Sequence, residues 1–340
     1  MNHIYRVIFN HTLGCFQAVT EQAKSSGKKT GVVRRKAART AGAVMVATAA
    51  ALGGQAGAQQ ITAADQLPQG AQVTAGDVSI QSSAHVMNVD QSSPKAIINW
   101  QTFNVGQDAT VNFKQPDASA VTLNRVLDAN PSQIFGRITA PGQVILINPN
   151  GTYFAPSSRV DVGGLIATTH ALSDQDFLDG NYHFKREGAT GKIINDGELK
   201  AKLDGYIALM APEVRNQGVI LAQGGTVTLA SGEHIQLDFG SDRKLQGITV
   251  TEQDLDAQIE NKHAIIAEGG LVILSARATA ELRASVIKNS GQIVASAGAN
   301  TVSQQGGRII LEGNAVDVAA GAELTATGPL GGGEILIGGD

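Results

Sequence analysis

One phrase recurs along this chain: a glycine or glycine pair, then a short run of aliphatic residues. Val144-Ile-Leu-Ile147 follows Gly142, Val227-Thr-Leu229 follows Gly224-Gly225, Val272-Ile-Leu274 follows Gly269-Gly270, Ile309-Ile-Leu311 follows Gly306-Gly307, and Ile335-Leu-Ile337 follows Gly332-Gly333. A second phrase, Asn-x-Gly, appears at Asn195-Asp-Gly-Glu-Leu, Asn216-Gln-Gly-Val-Ile and Asn289-Ser-Gly-Gln-Ile. Short apolar runs cut by tight turns and repeated every few tens of residues predict a stacked β-solenoid, each coil burying its face against its neighbours. The irregular spacing means that some coils carry insertions. Forty glycines beside one Trp, four Tyr and nine Phe suit a core of small aliphatics and tight turns, not a disordered chain. A helical solenoid would need long apolar stripes at period 3.6, and beyond residue 60 these occur only in short pieces.

Between two of the runs lies a hard turn, Asn148-Pro149-Asn150-Gly151. Pro149 sets φ at the first central position, Asn150 tolerates the second, Gly151 supplies left-handed geometry, and the Asn148 amide can bond the turn backbone. Such a turn pins strand register. Asn150-Gly-Thr152 also fits a glycosylation sequon, but an asparagine occupied by a turn is a poor acceptor. Ser173-Asp-Gln-Asp176 and Thr251-Glu-Gln-Asp254 read as capping boxes opening short helical insertions, the first leading to a hairpin turn at Gly180-Asn181. Both insertions are expected to be surface decorations between coils. Alternation in 109–113 and 121–123 points Ala109, Val111, Phe113, Val121 and Leu123 inward and Thr110 and Asn112 outward, and strands of this kind can cap the first coil.

The N-terminus is of another kind. Residues 1–40 carry eight Lys and Arg against one Glu; an apolar run, Ala41 to Leu52, too short to span a membrane, precedes small residues at Ala56-Gly-Ala58. This predicts an extended secretory signal over 1–58, cut after Ala58 to leave Gln59 as the mature N-terminus. The whole chain holds 26 basic and 30 acidic side chains; removing eight and one leaves 18 against 29, or −11. An acidic secreted surface with scattered basic residues offers no footprint for nucleic acid. The only cysteine, Cys15, leaves with the signal, so the mature protein relies on neither disulfides nor thiol ligands.

A group of phrases between Ala71 and Thr169 adds a resemblance: Ile98-Asn-Trp-Gln-Thr-Phe-Asn-Val105, Leu123-Asn-Arg-Val126, Asn130-Pro-Ser-Gln-Ile134, Gln143 to Gly151, and Val162-Gly-Gly-Leu-Ile-Ala-Thr168. Together they resemble the N-terminal secretion domain of two-partner secretion exoproteins, of the filamentous haemagglutinin and high-molecular-weight adhesin type. The leading residues resemble the extended signal region of large Gram-negative exported proteins. Ser173 to Tyr182 resembles the insertion of the adhesin branch. The haemagglutinin branch's second asparagine-proline-asparagine motif, ending in Leu, is absent, which leaves any recognition role of that motif without a counterpart.

The resemblance implies an all-β fold, a right-handed parallel β-helix with capping strands and small insertions. It implies a two-partner secretion domain over 59–250 and continuing coils over 251–340. Its implied partners are the general inner-membrane secretion machinery and an outer-membrane β-barrel transporter with periplasmic domains. Secretion to the cell surface follows, with Asn148, Pro149, Asn150 and Gly151 as the secretion motif. Adhesion to a host-cell or glycan ligand is the family default; haemagglutinin, cytolysin and contact-delivered toxin are the other family activities. Gly332 to Asp340 ends in an apolar strand without a polar cap, an expectation of a fragment of a longer exoprotein.

Two rival classes fit less well. β-Helices host carbohydrate-active enzymes, and Asp174 with Asp176, Asp254 with Asp256, or Asp238 with Asp242 are candidate acid pairs. All fall in hydrophilic insertions or loops, where solvated carboxylates are the norm, so no enzyme is expected. His85, His170, His183, His234 and His263 lack metal-ligand spacing, and no cofactor motif appears. A passenger that exports itself would need its own C-terminal barrel, and no such pattern is present in this sequence.

Overall fold

The computed structural model describes residues 62–251, 257–277, 286–298, 301 and 303–338, and the backbone of two strands near the N-terminus. The chain divides into two units, Met1–Ala58 and Gln59–Asp340. The first contains an antiparallel pair, Tyr5–Asn10 with Cys15–Thr20. The expected cleavage point, Ala58 and Gln59, and the capping box beyond Thr251 lie outside the described residues.

The second unit is a parallel β-helix with three faces. On the first face Val111, Ile138, Val160, Leu199, Ile220, Ile265 and Ile293 stack in register, one per coil. On the second face, Val144, Leu165, Ile207, Val227, Val272, Ile309 and Ile335 stack likewise. These are first members of the recurring aliphatic runs; the third members, from Leu146 to Ile337, form the parallel column beside them. The third face carries Gly151–Phe154, Lys192–Asn195, Glu213–Asn216, Gln258–Asn261 and Val286–Asn289 in parallel order. Side chains from all three faces meet in one continuous core. Each fully buried Ile, Leu or Val in it contributes roughly 1.5–3 kcal/mol of transfer free energy.

The repeated glycines have a steric reason. At the corner between the first and second faces Gly163, Gly205, Gly225, Gly270, Gly307 and Gly333 stack coil over coil. A Cβ on any of the last five would overlap the carbonyl oxygen of the glycine one coil earlier. The corner is too tight for any side chain, and an alternating pair is kept where Gly224 and Gly269 also turn at φ +67°.

The Asn-x-Gly phrases build a second column at the corner between the third and first faces. Asn195 Nδ2 donates to Asn216 Oδ1 at 2.8 Å, Asn216 Nδ2 to Asn261 Oδ1 at 2.8 Å, and Asn261 Nδ2 to Asn289 Oδ1 at 2.7 Å. All four are buried. The ladder is satisfied at its ends by the Gly197 amide, which donates to Asn195 Oδ1, and by the Gly291 carbonyl, which accepts from Asn289. Asn261 escapes the sequence pattern because His263 stands where its sister phrases have glycine.

Capping strands are present, but not where alternation suggested. Gln72–Ala75 pairs antiparallel with Lys95–Trp100, and Val78–Ser83 pairs antiparallel with Val86–Gln91. Thr110–Lys114 and Val121–Val126 are ordinary parallel members of a coil. Val111 and Phe113 do point into the core, whereas Val121 and Leu123 lie in a separate cluster outside the coil, with Thr122 and Asn124 turned inward. A strand buried on both faces defeats the alternation rule.

The cover of that outer cluster comes from the insertion at Ser173 and from a hairpin over 234–251. Ser173 caps the helix Asp174–Asp179, its hydroxyl accepting from the Asp176 amide at 3.0 Å. Gly180 is not a hairpin turn: it closes this helix at φ +83°, with the Asn181 amide bonding back to the Asp176 carbonyl. His183–Lys185 then joins His234–Phe239 and Leu245–Thr251 in an antiparallel sheet. Helix and sheet form a plate over the outside of the second face. Leu172, Phe177, Phe184, Ile235, Leu237, Leu245 and Val250 cover Ile97, Leu123, Ile145, Ile147 and Ile166. The insertion at Ser173, with the 234–251 hairpin, is therefore a second core rather than surface decoration; the one expected beyond Thr251 lies outside the described residues.

Candidate functional site

The corner at Asn148 joins three successive coils. The Gly151 amide donates to the Asn148 carbonyl at 2.9 Å, closing the turn, and the Asn150 amide donates to Asn148 Oδ1 at 2.9 Å. Asn148 Nδ2 donates to the Asn130 carbonyl and Ser132 Oγ, both at 3.0 Å, and Asn150 Nδ2 to the Asp128 carbonyl at 2.9 Å. The turn thus staples the Asn130-Pro-Ser phrase of the coil before it. Toward the coil after it, Gly151 sits at φ +103° with no room for a Cβ beside the Lys192 backbone, and the Gly191 amide donates to the Pro149 carbonyl at 3.1 Å. Asn148 is fully buried and Asn150 exposed.

Beside the corner an open groove of about 640 Å³ runs along the third face, lined by residues including Pro131, Asn150, Tyr153, Lys192 and Asp196. The Tyr153 hydroxyl donates to Asp196 Oδ2 at 3.0 Å. Desolvation, then this bond and the nearby carboxylate charge, push the phenol up to about 12.

The other phrases of the first coils tie the coils together and hold the plate. Trp100 Nε1 donates to Asn124 Oδ1 at 3.0 Å inside the core. Gln91, Gln115, Thr122 and Gln143 form a buried chain: Thr122 Oγ1 donates to Gln91, while Gln115 Nε2 donates to Thr122 Oγ1 and to the Gln143 carbonyl. Tyr206 reaches this chain through a 2.7 Å bond to Gln143 Oε1, and burial raises its phenol well above its ordinary value. Arg125 extends outward to the helix start, donating to the Leu172 carbonyl at 2.9 Å and Asp174 Oδ1 at 2.8 Å. Lys95 grips the other end, donating to the Phe177 and Leu178 carbonyls at 2.9 and 2.8 Å. A cation at the C-terminal carbonyls and a carboxylate in the first turn both suit the helix dipole. Burial lowers the Lys95 pKa.

The remaining candidates are dispersed. His170 is buried and donates through Nε2 to the Gly232 carbonyl at 2.7 Å, linking the start of the Ser173 insertion to that of the 234–251 hairpin. His85, His183, His234 and His263 are exposed. Asp238 and Asp242 serve hairpin hydrogen bonds, and Asp254 and Asp256 lie outside the described residues. Among the described residues no cluster of three His, Cys, Asp or Glu is placed to hold a metal ion, and no helix is long and apolar enough to cross a membrane. Sequence gives no role to Lys95 or Arg125, and it marks three of the four ladder asparagines as a repeated phrase without their pairing.

Comparison with known proteins gives two family matches: the TPS secretion domain over residues 59–326, and the Extended Signal Peptide of Type V secretion system over residues 1–50. A Heme/hemopexin-binding protein of Haemophilus influenzae strain Rd is 33% identical over 270 residues, 77% of this chain and 29% of that protein. A second protein of the same description from Haemophilus influenzae is 32% identical over 275 residues, 74% of this chain and 29% of its own length. The chain thus spans less than a third of these curated relatives. The crystal structure of the HMW1 secretion domain from Haemophilus influenzae matches with TM-score 0.65 and 27% identity, covering 79% of this chain and 76% of that one. Capped parallel coils, an extended signal and a secretion-domain match over most of its length make this chain a member of the TPS secretion-domain family, an exoprotein of two-partner secretion exported through the periplasm to the cell surface.

Proposed function

We propose that residues 59–250 are recognised by an outer-membrane β-barrel transporter with periplasmic domains, and that these coils nucleate folding of the solenoid during export, residues 251–340 adding further coils. The observation that carries this reading is the Asn148 corner, where one turn ties three coils at once within the matched secretion domain. Each coil added beyond it gains nearest-neighbour stacking, so folding outside biases the chain against sliding back without a nucleotide. An extended segment can be recognised before folding through main-chain bonds and alternate side chains.

For a longer protein carrying this domain we propose a binding activity rather than catalysis, with an adhesin or haemagglutinin as the family default. The described carboxylates of the candidate acid pairs have structural partners: Asp174 has Arg125, Asp176 has Ser173, Asp238 has Gln236 and Thr249, and Asp242 has the Lys244 amide. That two curated relatives are heme/hemopexin-binding proteins favours a second reading, in which the longer protein binds a haem-carrying host protein. Export tests the first reading. Co-expression with the transporter of its own system should release the chain to the medium, and deletion of 59–250 should retain it in the periplasm. Equal release with and without the transporter would overturn it.

A further inference from the structure

The groove beside the Asn148 corner is walled by a departure from the repeat. Elsewhere the second face passes to the third through a tight corner, 148–150 in one coil and 211–212 in another. Between Thr168 and Lys192 the chain instead leaves for the helix and the plate, and it returns through 186–191, so that Thr190 and Gly191 stand at the edge of the groove. Gly191 has no room for a Cβ against the Asn150–Gly151 peptide, which sets this wall flush with the turn. The floor is laid by Gln133, Tyr153 and Ile194, in register on successive coils. The Tyr153 hydroxyl reaches Asp196 Oδ2, on the following coil and beyond its own register partner Ile194, so the ring lies along the sheet instead of standing away from it. Phe135 holds it from the other side, edge to face at 6.0 Å.

Polar groups around this floor have bonding capacity to spare. Gln133 Oε1 accepts from the Thr62 hydroxyl and Asn150 Nδ2 donates to the Asp128 carbonyl, which leaves Gln133 Nε2 and Asn150 Oδ1 without partners among the described residues. Gln217 is exposed and its amide bonds nothing among them. Asp196 Oδ1 is buried and has no donor, a cost that a ligand hydroxyl would remove. The cation in the groove, Lys192, is paired with Glu213, so a sulfate or carboxylate finds no unpaired charge here. A pyranose ring has this complementary form: an apolar C–H face, and an edge of hydroxyls that both donate and accept. We propose that the groove is a binding subsite for a neutral oligosaccharide, with one sugar ring stacked on Tyr153 and Ile194 and its hydroxyls held by Gln133, Asn150 and Gln217. Its volume of about 640 Å³ falls within the range of small-ligand sites. Being open, it admits a segment of a chain and not only a free sugar. The subsite is independent of the export reading, and its ligand is bound by the secretion domain itself.

The test is titration calorimetry of the full chain with chitotriose, cellotriose and an N-acetyllactosamine oligomer, with a heparin hexasaccharide as the acidic comparison. One or more of the neutral probes should bind saturably. Tyr153→Ala and Gln217→Ala should each weaken that binding about tenfold, Tyr153→Phe should retain most of it, and Lys288→Ala, further along the same face, should leave it unchanged. Tyr153→Ala also removes packing, whereas Gln217 is exposed and unbonded, so its loss of affinity at an unchanged melting temperature separates binding from folding. Host-cell glycans and the producing cell's own envelope sugars share this chemistry, and displacement of the bound probe by neutral glycans purified from each tells the two sources apart. If no neutral probe saturates the chain, if heparin alone binds, or if both groove variants bind like wild type, the subsite is refuted. Release of Gln217→Ala to the medium at the wild-type level keeps a failure of the sugar site apart from a failure of export.

Discussion

The coils before residue 251 and those after 257 follow one recipe on the inside and two on the outside. Both keep the glycine column and the aliphatic pairs, so Val144 and Leu146 continue without a break to Ile335 and Ile337. In the first region the middle residue of each run, Ile145 or Ile166, lies buried under the plate. Further along the same column the residues lose cover: Ile310 is half-buried and Leu336 is 42% exposed. Polar stapling differs too. The first coils are joined by the Gln91 to Gln143 chain and the Asn148 corner, each reaching several elements, whereas the asparagine ladder, which starts at Asn195 and is the device that continues into the later coils, links each coil only to the adjacent one. Repeats alone propagate a structure; the crosslinks that skip between distant segments make the first region a unit.

The largest effect that would break this contrast comes from the glycine column. Gly225→Val and Gly307→Val both force a side chain into a backbone oxygen, at a cost of more than about 4 kcal/mol where the corner cannot move. Gly225→Val should lower the stability of both regions, while Gly307→Val should strip amide protection only from the coils after 307. Identical melting of the two variants would mean that the solenoid is one cooperative block. Next, Phe177→Ala empties the plate's core and should cost about 3–4 kcal/mol in the first region, measured by urea unfolding, with the later coils unmoved.

Sharper still is the pair of asparagine substitutions. Asn261→Ala takes one acceptor from Asn216 Nδ2 and leaves Asn289 Oδ1 without its ladder donor, and should cost about 1–3 kcal/mol of stability with little effect on release to the medium. Asn148→Ala with Asn150→Ala should cost on the order of 1–2 kcal/mol, yet reduce secretion more than stability. Secretion that tracks stability equally in both cases would remove any special role of the corner. The smallest effect is alkaline. Burial raises the phenols of Tyr153, Tyr182 and Tyr206, so their folded pKa values exceed the unfolded one near 10, with Tyr153 at about 12. The neutral phenols stabilise the fold below about pH 10, and that contribution is lost as pH rises through the folded values. Tyrosinate absorbance in the folded chain should therefore lag behind that of the urea-unfolded chain around pH 11. Coincident titrations would contradict the burial.

What could be read in advance follows the range of each interaction. The aliphatic runs and glycine pairs are local and repeated, so the solenoid was legible, and the Asn148 turn is specified by four adjacent residues. The plate was not legible, because its sheet joins His183–Lys185 to strands beginning at His234, and its clamps link Lys95 to Leu178 and Arg125 to Asp174 across long separations. Val121 and Leu123 misled because a strand covered on both sides has no wet face to betray its parity. Gly180 with Asn181 misled because the same left-handed residue closes a hairpin or a helix.

Native-state hydrogen exchange resolved by peptide tests the two-region account most directly. Strands in 121–168 and the plate segments 174–185 and 234–250 should open together at one free energy, while 286–338 opens at a lower one, fraying first at Ile335–Ile337. Protection that is uniform through Ile337, or a plate that exchanges far faster than Gln143–Ile147 and the 164–168 strand beneath it, would contradict the account.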